Sequence, residues 1–311
     1  MKLCYIFPGQ GAQYVGMGKS FYDAYPIARE TFQEADDSLH QNLSKIIFSG
    51  PEDALTATRT AQPAIFVVSI AILRTLMKHF CLPLPTCAAG LSLGEYTALT
   101  AAGVIPYEEA LSLVALRGAA MHEACEKIRG GMVVILGLPD DEVRALVEEA
   151  QLPHDLWCAN FNCPGQVVVS GTFKGLDKAK ELALKRGAKR VLPLQVHGAF
   201  HSGLMQEAKE KLELALSTTT LKASDIPCAM NVTGAFCNEP NKIRSLLADQ
   251  VCSSVLWHKC IETCENTHIS HFIEIGCGKT LAGLNKRIGV SVPTVSVETT
   301  DDIPILETLL A

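Results

Sequence analysis

Thr86-Cys87-Ala88-Ala89-Gly90-Leu91-Ser92-Leu93-Gly94-Glu95-Tyr96 decides the fold. The spacing predicts a short buried strand over 86–89, then a sharp turn into a helix that Gly103 ends. Between strand and helix stands Gly90-Leu91-Ser92-Leu93-Gly94, the G-x-S-x-G pattern of a nucleophile elbow. Such a turn leaves no room for side chains at its flanks, so Gly90 and Gly94 would let Ser92 project at the edge of the sheet. The next backbone N–H, that of Leu93, would then point where an oxyanion forms. The pattern alone also arises by chance in a chain with 23 Gly, so the flanking strand and helix carry the reading.

Outward from the elbow, strand and helix alternate, the mark of an α/β fold with a parallel sheet. A first strand over 3–7 runs into a loop holding Gly9, Gly11, Gly16 and Gly18. This loop binds no phosphate by either glycine motif: Gln13 stands where a phosphate loop needs its first Gly, and Tyr14 where a dinucleotide fingerprint needs its third. Helices are predicted over 26–38, 60–80 and 107–127. Residues 131–196 then read as strand 132–136, helix 140–150, strands 156–160 and 166–170, helix 173–186 and strand 190–196, which is the ferredoxin-like β-α-β-β-α-β order. This unit is expected as a small subdomain, 131–196, inserted in a larger α/β domain of 1–130 and 197–311. A helix over 202–216, a segment over 227–232 and a strand over 272–275 continue that larger domain.

Composition narrows the function. The chain has 311 residues, 48% hydrophobic and 19% charged, with a net charge of -6, so it is an ordinary folded protein rather than a disordered or fibrous one. An acidic balance argues against nucleic acid as a partner. The longest apolar run, 64–73, is too short to span a bilayer, and the N-terminus lacks the pattern of a signal peptide, so no membrane association and a cytoplasmic address are expected. The 12 Cys form no C-x-x-C pair and read as small buried hydrophobes, and His197 and His201, four apart, do not lie on a continuous helix. No metal is expected.

A serine nucleophile needs a base, and His201 is the leading candidate, since it lies where a strand gives way to a helix. On helix 107–127, Ala110, Val114, Arg117 and Met121 share one face, which puts a guanidinium on an apolar stripe. Buried arginines are nearly always paired, so Arg117 meets either an internal carboxylate or an anionic ligand.

Taken together, Phe7-Pro8-Gly9-Gln10-Gly11-Ala12-Gln13, the elbow with Glu95-Tyr96, Arg117, Gly198-Ala199-Phe200-His201-Ser202, Asn231-Val232-Thr233-Gly234 and Gln250 resemble the malonyl-CoA:acyl carrier protein transacylases, relatives of the acyltransferase domains of fatty acid and polyketide synthases. The resemblance spans nearly the whole chain. It implies an α/β-hydrolase-like core with an inserted ferredoxin-like subdomain, malonyl-CoA and acyl carrier protein as partners, and no cofactor. It further implies Ser92 as nucleophile, His201 as base, Arg117 as the clamp on the malonyl carboxylate, and the N–H groups of Gln10 and Leu93 as the oxyanion hole. The Gln250 main-chain carbonyl would orient His201, and Phe200 resembles the pattern of malonyl-selecting members. Leu91, Ser254 and Cys277 depart from the family, where many members have His, Pro and Pro; the last two departures are expected to change backbone rigidity rather than chemistry.

Two other functions compete. A serine esterase or thioesterase could use the same elbow, but such enzymes place their His near the C-terminus and carry an HGGG-type motif, and this chain does neither. A docking module for an acidic carrier protein is suggested by the segment from Lys174 to Arg190, with seven Lys or Arg against two Asp or Glu. Lys178, Lys185, Lys189 and Arg190 are its candidate contacts, unless the run is only a solvated helix face.

Overall fold

The computed structural model describes residues 1–196 and 198–310, and it contains two sheets. The strands are β1 (Leu3–Phe7), β2 (Cys87–Gly90), β3 (Gly131–Leu136), β4 (Leu156–Cys163), β5 (Gln166–Gly171), β6 (Arg190–Pro193), β7 (Cys228–Met230), β8 (Ala235–Cys237), β9 (His271–Ile275) and β10 (Thr294–Val297). The larger sheet runs β10-β9-β1-β2-β7-β8, parallel throughout except for the β7–β8 hairpin at its edge. β1 and β2 are wholly buried, as strands covered on both faces are. Alternation divides β1 between two cores: Leu3, Tyr5 and Phe7 face the cluster containing helix Thr58–His79, while Cys4 and Ile6 face the cluster of helices Trp257–Glu265 and Thr280–Ile288.

Helix Thr58–His79 is long and apolar enough to cross a membrane by length and composition, but 83% of its most apolar window is buried inside the protein. It packs against helix Tyr107–Lys127, and between them they form the centre of the larger core. Ala110, Val114, Arg117 and Met121 all lie on the buried side of the second helix.

The smaller sheet is antiparallel, in the order β4-β5-β3-β6, with helices Asp140–Glu149 and Phe173–Lys185 packed on it around a third core. This is the mixed α/β architecture expected, a parallel sheet joined by a ferredoxin-like unit. The edge strand β6 stops at Pro193, short of the expected 196: Leu194 N–H still donates to Met132 O at 3.0 Å, but Val196 N–H turns back onto Leu194 O at 2.9 Å, which ends the extended run. The expected helix over 202–216 begins as a 3-10 turn, Gly203–Met205, and becomes α-helix only from Gln206 to Thr218.

The two sheets are tied just after Gln250. Phe161 N–H donates to Val255 O at 2.9 Å and Val255 N–H to Ala159 O at 2.8 Å, so β4 pairs briefly with the segment just after Gln250. Ser254 adds a side-chain bond there, its hydroxyl donating to Cys158 O at 2.6 Å.

Candidate active site

β2 ends in Gly90, and Ser92 turns the chain with a φ of 53°, in the left-handed region that a serine adopts only where its surroundings hold it there. The glycines are sterically required. A Cβ on Gly90 would lie 1.8 Å from Gly94 O, and one on Gly94 would lie 2.3 Å from Phe7 O. Asn231, just past β7, bridges the turn: its Oδ1 accepts Ser92 N–H at 2.7 Å and its Nδ2 donates to Gly90 O at 2.8 Å.

An account of the elbow's N–H groups shows what is left for a substrate. Leu91 N–H goes to Phe7 O, Ser92 N–H to Asn231, Gly94 N–H to Leu91 O and Glu95 N–H to Ser92 O. Leu93 N–H has no acceptor among the described residues, and neither has Gln10 N–H in the loop after β1. That loop is pressed against the elbow, since a Cβ on Gly9 would lie 2.4 Å from Leu91 O. Both Gln10 and Ser92 line one cavity of about 210 Å³.

His201 enters from the other side, also with a positive φ of 57° and 4% exposed. Its Nδ1 lies 2.8 Å from Gln250 O and its Nε2 lies 2.9 Å from Ser92 Oγ. A carbonyl only accepts, so Nδ1 carries the proton, and in the neutral ring Nε2 is then free to accept the serine hydroxyl. Burial, reinforced by the Arg117 charge and opposed by the Gln250 carbonyl, holds the imidazole down at about 4. The ring is therefore an unprotonated base at neutral pH. Burial and a neighbouring cation keep it neutral; the turn that follows His201 is only a short 3-10 segment.

Arg117 completes the group. It is 1% exposed, yet among the described residues it forms no ion pair. Its Nη1 donates to Gln62 Oε1 at 2.6 Å, its Nη2 donates to Ser92 Oγ at 3.0 Å and Gln250 Oε1 at 2.9 Å, and Nε has no partner. The guanidinium also lies 5.7 Å from the Tyr96 ring centroid. Burial lowers its pKa, but an arginine stays charged. A buried cation held only by neutral side chains, one of them the Ser92 hydroxyl, is chemically able to take an anion as its partner.

The structure thus brings Ser92, His201, Arg117, Gln250 and the Gln10 loop together, with Phe200 and Leu91 in the cavity wall. Three residues in this group were given no role from sequence: Gln62, which orients Arg117, Asn231, and Glu95, whose carboxyl takes Asn231 N–H and Gln250 Nε2. Gln62 had a signal, a lone amide in an apolar helical run. Asn160, Asn162 and Gln166 of the smaller sheet's β4 and β5 close the cavity.

The basic run lies apart from this centre. Lys178 and Lys185 both pair with exposed Glu181, and Arg186 pairs with Glu142 and Glu149, so much of its charge is neutralised within the chain. Lys189 and Arg190, near the start of β6, form no ion pair among the described residues. A larger groove of about 540 Å³ shares Met132, Leu194 and Val196 with the cavity at Ser92, but its described lining includes neither Ser92 nor His201. The sulfurs of Cys4, Cys87 and Cys264 meet within 4.8 Å of one another in the second core, at the opposite end of β1 and β2 from Ser92, and burial pushes the Cys4 thiol well up. His197 lies outside the described residues.

A parallel sheet that presents a serine at a strained strand-to-helix turn, with a histidine on its hydroxyl and unclaimed N–H groups alongside, is the architecture of serine acyl-transfer proteins. The chain belongs to the acyl transferase domain family, whose family model it matches over residues 4–298. It is 40% identical over 305 residues to the malonyl CoA-acyl carrier protein transacylase of Bacillus subtilis, covering 98% of this chain and 96% of that one. The protein of the same description from Escherichia coli O157:H7 is 38% identical, covering 92% and 93%. Among solved structures, the acyl-carrier-protein-S-malonyltransferase of Bartonella henselae superposes with a TM-score of 0.94 at 38% identity, covering 100% of this chain and 99% of the other. A malonyl-transacylase in complex with its type II PKS acyl-carrier protein superposes with a TM-score of 0.95 at 34% identity, covering 99% and 100%.

Proposed function

We propose that this protein transfers the malonyl group from malonyl-CoA to the pantetheine thiol of acyl carrier protein, supplying malonyl thioester for fatty acid synthesis in the cytoplasm. The observation that carries the reading is Arg117, a buried guanidinium without a carboxylate partner among the described residues, hydrogen-bonded to the hydroxyl of the nucleophile. An acetyl group offers that cation nothing. A malonyl group brings a carboxylate that takes the guanidinium as a two-pronged pair while its thioester lies over Ser92. The cavity of about 210 Å³ suits such a short acyl group, and the rest of the coenzyme extends outward.

Ser92 Oγ attacks the thioester carbonyl as its proton passes to His201 Nε2, and the oxyanion is met by the N–H groups of Gln10 and Leu93. Collapse releases CoA, whose sulfur takes the proton from His201, and leaves malonyl on Ser92. The carrier's pantetheine thiol then gives its proton to His201 and attacks the ester, and Ser92 recovers its proton as malonyl leaves on the new thioester. Gln250 holds His201 in the productive tautomer through its carbonyl and steadies Arg117 through its side chain. Phe200 narrows the pocket.

Residues 1–130 and 197–311 act as one discontinuous catalytic domain and 131–196 as a subdomain that closes the cavity. Lys189 and Arg190 are its most available contacts for an acidic carrier. The test is transfer of labelled malonyl from malonyl-CoA to holo acyl carrier protein: transfer with ping-pong kinetics is expected, and release of free malonate without transfer would convert the reading to a thioesterase.

A further inference from the structure

Among the described residues Glu95 is the one buried carboxyl in the catalytic network, and it neither lines the cavity nor bonds Arg117 directly. One amide separates it from the cation: Gln250 Oε1 accepts from Arg117 Nη2 at 2.9 Å while Gln250 Nε2 donates to Glu95 Oε2 at 2.7 Å. Its other oxygen, Oε1, accepts Asn231 N–H at 2.5 Å. Glu95 and Arg117 are each 1% exposed and form no ion pair among the described residues, so the two ionisable groups share one bridging amide out of reach of solvent.

We propose that Glu95 sets the preference for an anionic acyl group: carrying its proton it leaves Arg117 uncompensated for the substrate's carboxylate, and once ionised it competes with that carboxylate for the same positive charge. The inference rests on the malonyl reading of the site. Burial pushes the Glu95 carboxyl up to about 8, with Asn231 N–H, Arg117 and Gln250 opposing, so the proton is lost within the range where the enzyme can be assayed. The other ionisable groups around it do not titrate there. Burial holds Tyr96, Cys228 and Cys260 well up and His201 down at about 4, and Arg117 stays charged. Glu95 therefore acts as a positioning and selectivity residue through Gln250 and Arg117, without touching the acyl group.

The test compares acylation of Ser92 by malonyl-pantetheine and acetyl-pantetheine, which lack the coenzyme's titrating phosphates, between about pH 6.5 and about pH 9. The malonyl-to-acetyl ratio of kcat/KM is expected to fall by about 10-fold across that range, chiefly through KM for malonyl, as a like charge enters the same low-dielectric pocket. In Glu95→Gln the ratio should stay flat at its neutral-pH value. A flat ratio in the wild type, or the same fall in the variant, overturns the proposal. Infrared difference spectra of the unliganded protein give a readout free of activity and of the variant's folding. A protonated carboxyl band that disappears as pH rises through about 8 is expected, and Glu95 already ionised at neutral pH would refute the proposal. If neither thioester acylated Ser92, the transferase reading would fail, while the infrared band would still decide the state of Glu95.

Discussion

Replacing Arg117 by Ala separates recognition of the acyl group from the chemistry of the serine. In the wild type the guanidinium is fully buried and already held by Gln62 and Gln250, so little ordering remains when a carboxylate arrives. Truncating one side of a buried charge-assisted pair costs about 2–5 kcal/mol, which is on the order of 30- to 5,000-fold in kcat/KM for malonyl-CoA. Acetyl-CoA makes no such pair, so its kcat/KM should change far less and the malonyl preference should collapse by nearly the full factor. The substitution also strips Gln62 Oε1 and Gln250 Oε1 of a donor, at about 1–3 kcal/mol for each buried acceptor left unsatisfied, so thermal unfolding must be measured alongside. Arg117→Lys keeps the charge without the planar fork and should fall between the two. Single-turnover acylation with both thioesters reads the ratio directly. Equal losses for malonyl and acetyl would show that Arg117 supports the fold of the site and does not bind the carboxylate.

Other expectations follow from the same geometry. Gly94→Ala places a methyl 2.3 Å from Phe7 O and 2.8 Å from Pro8 O, backbone atoms that cannot step aside, so the variant should be inactive with its melting temperature lowered by several degrees; near-wild-type stability would contradict the close approach. His201 refuses until about pH 4 a proton that the unfolded chain accepts near 6.5, so its contribution of about 3 kcal/mol is complete above pH 6.5 and is lost as pH falls through 4. Glu95 has the opposite sign, since its raised value means stability falls as pH climbs from 4.5 towards 8, so the two offset in part between 4.5 and 6.5. Denaturant titrations of His201→Gln against wild type should isolate the histidine's share, and a difference unchanged between pH 7 and pH 4 would refute it. Reversing the charges of Lys189 and Arg190 should weaken transfer to carrier protein several-fold and spare acylation by CoA, whereas reversing Lys178 and Lys185, already paired with Glu181, should do less. If the first pair leaves carrier transfer untouched, the run is a solvated face.

How far these features could be read from residues alone follows their physical range. The elbow was legible because it is local: a strand, two glycines and a helix start are set by sterics within ten residues. Helix Tyr107–Lys127 was legible by its stripe and the inserted sheet by its alternation. Helices Pro240–Gln250, Trp257–Glu265 and Thr280–Ile288 were not foreseen, since short helices draw their stability from packing that periodicity does not register. Arg117 illustrates the limit within the site. Its burial was legible from its neighbours on the helix, but the choice between an internal carboxylate and a ligand was not, because its partners Gln62 and Gln250 lie 55 and 133 residues away in the chain. Asn231 and Glu95 went without roles for the same reason, their bonds spanning 139 and 155 residues.

The central claim is a malonyl ester on Ser92, and intact-mass and peptide spectrometry after brief exposure to malonyl-CoA without acyl carrier protein tests it most directly. The account predicts one malonyl group per chain, located on the Ser92 peptide, absent from Ser92→Ala and discharged when holo carrier protein is added. A wild-type protein that passes malonyl to the carrier without ever holding it on Ser92 would contradict the account.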